Sequence, residues 1–219
     1  MDRDHQLREI INDISVCTKC QLHHSRKLSV PGEGPFDTDI MFIGEAPGFH
    51  ENEQGRPFVG AAGKLLDTLL ANIGLNRNQV VITNVVKCRP PGNRDPLDEE
   101  IEACVGAYLS RQIELIDPKL IITLGRISMG LFFKNAKIGE MHGNSVKIGQ
   151  RWVTAMYHPA AALHQPKLLE VIQKDFDKLP ELISRVVLST DQKIAEKEGS
   201  SGKNELVPPQ STPSQLSLF

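Results

Sequence analysis

Four cysteines are the residues of this chain best suited to metal chemistry. Cys17 and Cys20 form a C-x-x-C pair, and Cys88 and Cys104 follow with fifteen residues between them. The amino terminus is charged and amphipathic and has no apolar signal stretch, so we expect a cytoplasmic protein in which disulfides are disfavoured. The alternative, that some are small buried hydrophobes, explains Cys104 well and the C-x-x-C pair poorly. The spacing therefore predicts a four-cysteine metal or iron–sulfur site without identifying the metal.

A second group of chemically capable residues lies in three separate segments. The first, GEAPGFHENEQGRPFVGAAG (residues 44–63), carries five glycines, at which a backbone can approach a ligand, and the aromatic Phe58. The second contains Asn84 in TNVVKCRPP, and the third contains His158 in YHPAAAL, where Pro159 begins a predicted helix. Taken alone, the first segment could be an ordinary long loop, and His158 could be only a helix cap.

The apolar pattern predicts elements that bring these segments together. Apolar runs predict strands at DIMFIG, QVVITNVV and PKLIITLG, and a hairpin at SVKIGQRWVTAMY that leads into a fourth core strand. Helical spacing covers residues 4–16, 61–74, 97–116, 126–133 and 166–188, the last with a break at Pro180. This alternation predicts an α/β fold over residues 1–189, a three-layer α/β/α sandwich around a mostly parallel four-stranded sheet. Because such sheets bind ligands at the carboxyl ends of their strands, we expect the three segments to form one pocket.

Together these motifs resemble the family 4 uracil-DNA glycosylases, the iron–sulfur branch of that superfamily. The resemblance rests on GEAPG with GRPFVG-x-AG, on TNVVKCRPPGNR, on HPAAAL and on four cysteines at the family's spacing. It extends from about Cys17 to the last predicted helix, and several separated motifs in the same order make it specific. It implies a monofunctional DNA glycosylase of base excision repair, which flips uracil out of single- or double-stranded DNA, hydrolyses its N-glycosidic bond and leaves an abasic site.

The resemblance also implies roles for individual residues. Phe58 would stack on the flipped base, Asn84 would read its edge, and His158 would donate to uracil O2 as negative charge develops on the base. Glu51 would shape the pocket beside the base C5. The family 1 enzymes carry an aspartate at the position of Ala46, so no carboxylate base is evident there, and a neighbouring carboxylate or a backbone group is left to orient the water. The other implied site residues are the water-activating Glu45 and the pocket glycines Gly44 and Gly48.

By the same resemblance, the four cysteines would ligate a four-iron, four-sulfur cluster with a structural role. Leu163 would enter the DNA helix where the base leaves it, although a helix-core residue is the alternative. The chain departs from the family's usual pattern at two positions, with Asn52 where aspartate is common and His164 where arginine is common. The first can alter hydrogen bonding in the pocket, and the second weakens a phosphate contact at neutral pH.

The bulk composition carries no electrostatic sign of a nucleic-acid partner. The chain has 219 residues and a formal net charge of −2. Basic residues cluster at positions 23–27 and 87–94. Clusters of this kind are more often solvated loop surface than a binding site for DNA phosphates. No apolar run approaches the roughly 20 residues of a spanning helix, so we expect no membrane association. We also expect a monomer.

The carboxyl-terminal segment has a distinct composition. Residues 190–214 are rich in Gly, Ser, Pro, Lys and Glu, which predicts a disordered linker. The final pentapeptide resembles the bacterial sliding-clamp binding motif at every position, and it consists of Gln215, Leu216, Ser217, Leu218 and Phe219. The sequence therefore predicts the clamp as a partner, with a frayed terminus of chance apolar residues as the alternative.

Two other interpretations of the function are compatible with the same residues. The first is a non-catalytic iron–sulfur or zinc adaptor tethered to the replication clamp, which would tolerate loss of His158 and Asn84. The second is a superfamily relative that acts on another lesion or crosslinks to the abasic sugar. The crosslinking branch has GEQPG and an inserted basic loop that ends in histidine, and this sequence has neither.

Overall fold

The structure, a computed structural model that describes residues 2–186, is organised around one mixed sheet. The strand order is β2-β1-β3-β5-β4, and the strands are β1 (Ile40–Gly44), β2 (Val81–Asn84), β3 (Leu120–Leu124), β4 (Ser145–Ile148) and β5 (Arg151–Met156). All neighbouring pairs are parallel except β4 with β5. The predicted count of four strands is therefore wrong by one, because the first arm of the predicted hairpin pairs along the outer edge of β5.

Helices cover both faces of the sheet because its central strands are buried on both sides. In β1, Ile40 and Phe42 belong to one core cluster, whereas Met41 and Ile43 belong to the other. The helices that contribute to the first cluster are α3 (Ala61–Asn72), α8 (Pro159–His164) and α9 (Lys167–Phe176). Those that contribute to the second are α1 (Arg3–Ser15), α4 (Asp98–Cys104) and α5 (Ser110–Ile116). The predicted three-layer α/β/α sandwich is confirmed.

The helices lie close to their predicted positions, with three local differences. The helix predicted over residues 97–116 is interrupted by a π-helical turn, Val105–Leu109, between α4 and α5. The final helical region is interrupted as predicted, but the break lies at residues 177–178, and Pro180 falls in the first turn of the helix that resumes over residues 179–186. Two short helices were not predicted, and a third was predicted to be longer: α2 (Phe49–Gln54), α7 (Ile138–Met141) and α6 (Arg126–Gly130).

The parallel strands direct their carboxyl ends to the same edge of the sheet. Gly44 at the end of β1 lies in register with Asn84 at the end of β2, and β5 leads directly to His158. The predicted linker 190–214 and the pentapeptide 215–219 lie outside the described residues. Within residues 2–186, no helix combines the length and the apolar character that a membrane crossing requires.

Candidate active site

The three segments identified in the sequence meet in one pocket, which we call the strand-end pocket. It has a volume of about 420 Å³, within the usual range for small-molecule sites. The residues predicted to form the site are among those that line it: Glu45, Ala46, Gly48, Glu51, Phe58, Asn84, His158 and His164. The predicted convergence of the three segments is confirmed, whereas the roles of the individual residues stay predictions.

Asn84 lines the strand-end pocket and carries an unpaired acceptor. The residue is 1% exposed, and its Oδ1 has no hydrogen-bond partner in the described part of the chain. Leaving a buried carbonyl oxygen unpaired costs about 1–3 kcal/mol, so a ligand N–H that enters the pocket would recover this energy. The amide is therefore suited to bind a donor that only a ligand provides.

Gly44 allows two functional side chains to approach the end of β1. A Cβ atom at this position would lie 2.4 Å from Asn84 Oδ1 and 2.6 Å from Phe58 Cζ. Any side chain larger than hydrogen would displace at least one of them. The glycine is thus required by close packing and not by a left-handed backbone.

Phe58 is held in a strained backbone conformation. Its φ is +53°, in the left-handed region that residues other than glycine rarely adopt. Arg77 fixes this turn, because its Nη1 donates to Phe58 O at 3.1 Å and its Nη2 donates to Pro57 O at 2.6 Å. The ring then lies with its centroid 5.4 Å from that of the His158 imidazole, at an interplanar angle of 24°.

His158 is fixed in one tautomer by the helix that it caps. Its Nδ1 accepts a hydrogen bond from the Ala160 N–H at 3.1 Å at the start of α8. A neutral imidazole bonded in this way carries its proton on Nε2. Burial lowers the pKa of His158 to about 4, against the opposing effect of the nearby Glu51 carboxylate. At neutral pH the residue is therefore an uncharged N–H donor.

Glu51 supports the pocket wall through its carboxylate. Its Oε1 accepts hydrogen bonds from the Val59 N–H at 2.8 Å and the Gly60 N–H at 2.9 Å. Its Oε2 lies 2.7 Å from where a Cβ atom at Gly48 would be, so the glycine leaves room for it. Glu51 thus braces the backbone directly after Phe58, a contact that the sequence did not predict.

Glu45 is the carboxyl group at the base of the loop that follows β1. Burial raises its pKa, a nearby Asp95 carboxylate raises it further, and Arg126 opposes both effects. Asp95 and Arg126 also form an ion pair with each other. Ala46 beside it offers the pocket only an apolar side chain, so Glu45 is the carboxyl group of this segment that could act on a water molecule.

The remaining predicted positions separate into those near the pocket and one remote from it. Leu163 is 50% exposed on α8, so the helix-core alternative for this residue is wrong. His164 lines the strand-end pocket. Asn52 is buried, and its Oδ1 accepts a hydrogen bond from the Lys27 N–H at 2.9 Å, so this departure from the family pattern acts outside the pocket.

The four cysteines surround a separate space, which we call the cysteine cavity. Its walls contain all four cysteines together with Arg26, Lys87 and Tyr108. Burial raises the pKa of the Cys104 thiol to about 11, and the pKa of Cys20 and Cys88 is raised for the same reason. A bound cation would therefore have to draw these thiols into the thiolate form. No group of three or more His, Cys, Asp or Glu residues within residues 2–186 is arranged to hold a single metal ion.

Two residues that support these sites were not identified from the sequence. Lys87 was grouped with a solvated basic cluster, and this is wrong because it is 1% exposed and burial lowers its pKa to about 8. Its position between an apolar run and Cys88 is the feature that could have indicated burial. Arg77 lies in a polar loop, and no local pattern connects it with Phe58, nineteen residues earlier in the chain.

Comparison with known proteins assigns the family. Residues 31–181 match the model of the uracil DNA glycosylase superfamily. The chain is similar to the type-4 uracil-DNA glycosylase of Sulfurisphaera tokodaii, with 49% identity over 80% of this chain and 84% of the relative. The type-4 enzyme of Saccharolobus solfataricus is 47% identical over 90% and 94% of the two chains, and that of Thermotoga maritima is 41% identical over 82% and 96%. Both the matched residues and the extent of these similarities show that the chain belongs to the uracil-DNA glycosylase superfamily, in its type-4 branch.

Proposed function

We propose that this chain hydrolyses the N-glycosidic bond of uracil in DNA, releasing the base and leaving an abasic site for base excision repair. The observation that carries this proposal is the unpaired Asn84 Oδ1 in the wall of the strand-end pocket. The type-4 uracil-DNA glycosylases to which the chain is similar support the same reaction.

Asn84 discriminates uracil from cytosine. Its Oδ1 accepts from uracil N3–H and its amide nitrogen donates to uracil O4. Cytosine has no hydrogen at N3 and carries an amino donor at C4, so both polar groups of the asparagine would face a mismatched partner. Each mismatch in a buried site costs roughly 1–3 kcal/mol.

His158 stabilises the leaving base. As the bond from the sugar C1′ to uracil N1 breaks, its electron pair moves to the base and negative charge develops at O2. The neutral Nε2–H of His158 donates to O2, and its orientation is already fixed by the Ala160 cap. A donor held in place before the reaction stabilises this charge without reorganisation.

Glu45 orients the attacking water. The water oxygen forms the new bond to C1′ while one of its protons is accepted by the Glu45 carboxylate, which must be ionised for this purpose. Its raised pKa makes the carboxylate a better base than an ordinary exposed glutamate. The proton is then passed to solvent or to the released base.

Phe58 and Leu163 serve to hold the extruded nucleotide. The strained turn places the Phe58 ring in the pocket wall, where it would stack on the base. Leu163 projects from α8 with half of its surface exposed and would fill the gap that the base leaves in the duplex. Together these contacts offset the few kcal/mol that base flipping costs.

The cysteine cavity would hold a four-iron, four-sulfur cluster. Its four thiols line one cavity, and four thiolates are the ligand set that such a cluster requires. When bound, the cluster would supply iron–sulfur bonds that tie the segment after α1, the loop after β2 and the end of α4 together. Purified protein should be brown and contain iron, and a Cys104→Ser variant should lose both the colour and thermal stability. Colourless protein with stoichiometric zinc would overturn the assignment.

The catalytic proposal is tested by incubating a uracil-containing oligonucleotide with the protein and then adding alkali, which breaks the strand at any abasic site. We expect Asn84→Ala and His158→Ala to lose most of their activity, whereas the exposed controls Asn12→Ala and His5→Ala keep it. Full activity in both pocket variants would favour the adaptor interpretation. A covalent DNA adduct on a denaturing gel would favour the crosslinking interpretation. Parallel assays on single-stranded DNA and on U:G and U:A pairs rank the substrates.

The carboxyl-terminal pentapeptide is proposed to bind a bacterial sliding clamp. This proposal rests on the sequence of residues 215–219 alone. We expect deletion of these five residues to abolish binding to an immobilised clamp while activity on free oligonucleotides is unchanged. Undiminished clamp binding would contradict it. The cytoplasmic location and the monomeric state stay predictions.

A further inference from the structure

Lys87 places a buried ammonium group directly behind the residue that reads the base. Its Nζ donates to the backbone oxygen of Asn84 at 2.8 Å and to Thr83 Oγ1 at 2.6 Å. Thr83 in turn donates to Pro31 O at 3.0 Å. The ammonium is therefore held at the carboxyl end of β2, on the main chain of Asn84, while the Asn84 side chain lines the pocket.

The backbone of Lys87 is fixed at the same time. Its carbonyl accepts a hydrogen bond from the Val30 N–H at 2.8 Å. Lys87 also lines the cysteine cavity, and the next residue is Cys88. Lys87 thus has little freedom to move, which makes it a rigid support for the residue that it contacts.

We propose that Lys87 is a positioning residue for base recognition, whose ammonium fixes the Asn84 peptide and thereby aims the Asn84 amide into the strand-end pocket. The inference rests on the proposed function, because it requires Asn84 to read the base. Without the ammonium, the Asn84 carbonyl would lose a charged donor at a buried position. Rotation of that peptide toward another donor would also rotate the attached side chain.

A purely structural lysine would lower activity independently of Asn84, whereas a positioning lysine acts only through it. The two cases are separated by a double-mutant cycle on single-turnover kcat/KM with a uracil oligonucleotide, using Lys87→Met, Asn84→Ala and the double variant. We expect Lys87→Met to lower kcat/KM roughly 10- to 100-fold in the wild-type background, from the loss of a charged hydrogen bond. In the Asn84→Ala background we expect less than about a 3-fold further loss.

Several controls keep the outcome clear. Lys64→Met, on the exposed surface of α3, should leave activity unchanged. The iron content and Tm of each variant show whether the cysteine cavity and the fold are intact. If Lys87→Met does not fold, Thr83→Val takes its place in the cycle, because it removes the second acceptor of the ammonium with little change in shape.

The result distinguishes this inference from the function on which it depends. Equal losses for Lys87→Met with and without the Asn84 side chain would overturn the positioning role while leaving the glycosylase proposal intact. Full activity of Asn84→Ala would instead contradict base reading by Asn84. Strong coupling between the two substitutions, with unchanged iron content, would support the inference.

Discussion

Replacing Gly44 by alanine adds one methyl group where the base-reading amide and the stacking ring meet. The new Cβ would lie 2.4 Å from Asn84 Oδ1 and 2.6 Å from Phe58 Cζ, whereas non-bonded heavy atoms normally pack about 3.5–4 Å apart. Neither partner can retreat freely. Asn84 is 1% exposed, and Phe58 is held by hydrogen bonds from Arg77.

The expected magnitude follows from this crowding. Forcing an extra methyl group into a well-packed region costs about 1–3 kcal/mol, which in a domain of this size lowers Tm by roughly 2–12 °C. If Asn84 yields, about one hydrogen bond to the base is lost as well. That loss corresponds to a decrease in kcat/KM of roughly 5- to 150-fold.

The assay pairs single-turnover cleavage of a uracil oligonucleotide with thermal unfolding. Gly130→Ala is the matched control, because a Cβ atom at Gly130 would meet no atom within 4 Å. We expect the control to match the wild type in both measurements. A Gly44→Ala variant with wild-type kcat/KM and Tm would refute the proposed contact, and equal losses in both variants would show that the effect is unrelated to the pocket.

Three further predictions concern the same pocket. Arg77→Met should lower kcat/KM roughly 10-fold in single-turnover cleavage, because Phe58 can then relax from its left-handed conformation. Since the pKa of His158 falls from its ordinary 6.5 to about 4 on folding, the unfolded chain binds an extra proton between these pH values. The free energy of unfolding should therefore fall as the pH drops from 6.5 to 4, by on the order of 3 kcal/mol, and His158→Asn should flatten this slope in urea titrations. Asp95→Asn removes a carboxylate that raises the pKa of Glu45, so the acidic limb of the kcat/KM profile should move to lower pH.

Each of these predictions has an outcome that contradicts it. Wild-type cleavage by Arg77→Met would mean that Phe58 keeps its conformation without the guanidinium. An unchanged pH slope in His158→Asn would mean that other groups dominate the acid dependence of stability. An acidic limb that stays in place, or moves to higher pH, in Asp95→Asn would remove Glu45 as the group that titrates on that limb.

Much of the fold could be predicted from the sequence, because its main determinants are local. The continuous apolar run of β1 and the helical spacing of leucines in α3 depend on residues only a few positions apart. The parallel topology then places Gly44, Asn84 and His158 at one edge, so the pocket could be expected from the parallel arrangement of the strands. Helix α2 could not be predicted, because its glycine-rich surroundings have the composition of a loop.

The amino-acid sequence by itself determined the layered architecture, the cysteine set and the motifs of the three pocket segments, since each is encoded in short spacings. Tertiary structure alone decided how these groups are supported. Arg77 fixes a turn nineteen residues earlier in the chain, and Lys87 is buried although it begins a basic cluster. The protonation state of His158 likewise depends on burial and on the Ala160 cap. Desolvation and hydrogen bonding depend on what packs around a residue in space, and no local spacing encodes that environment.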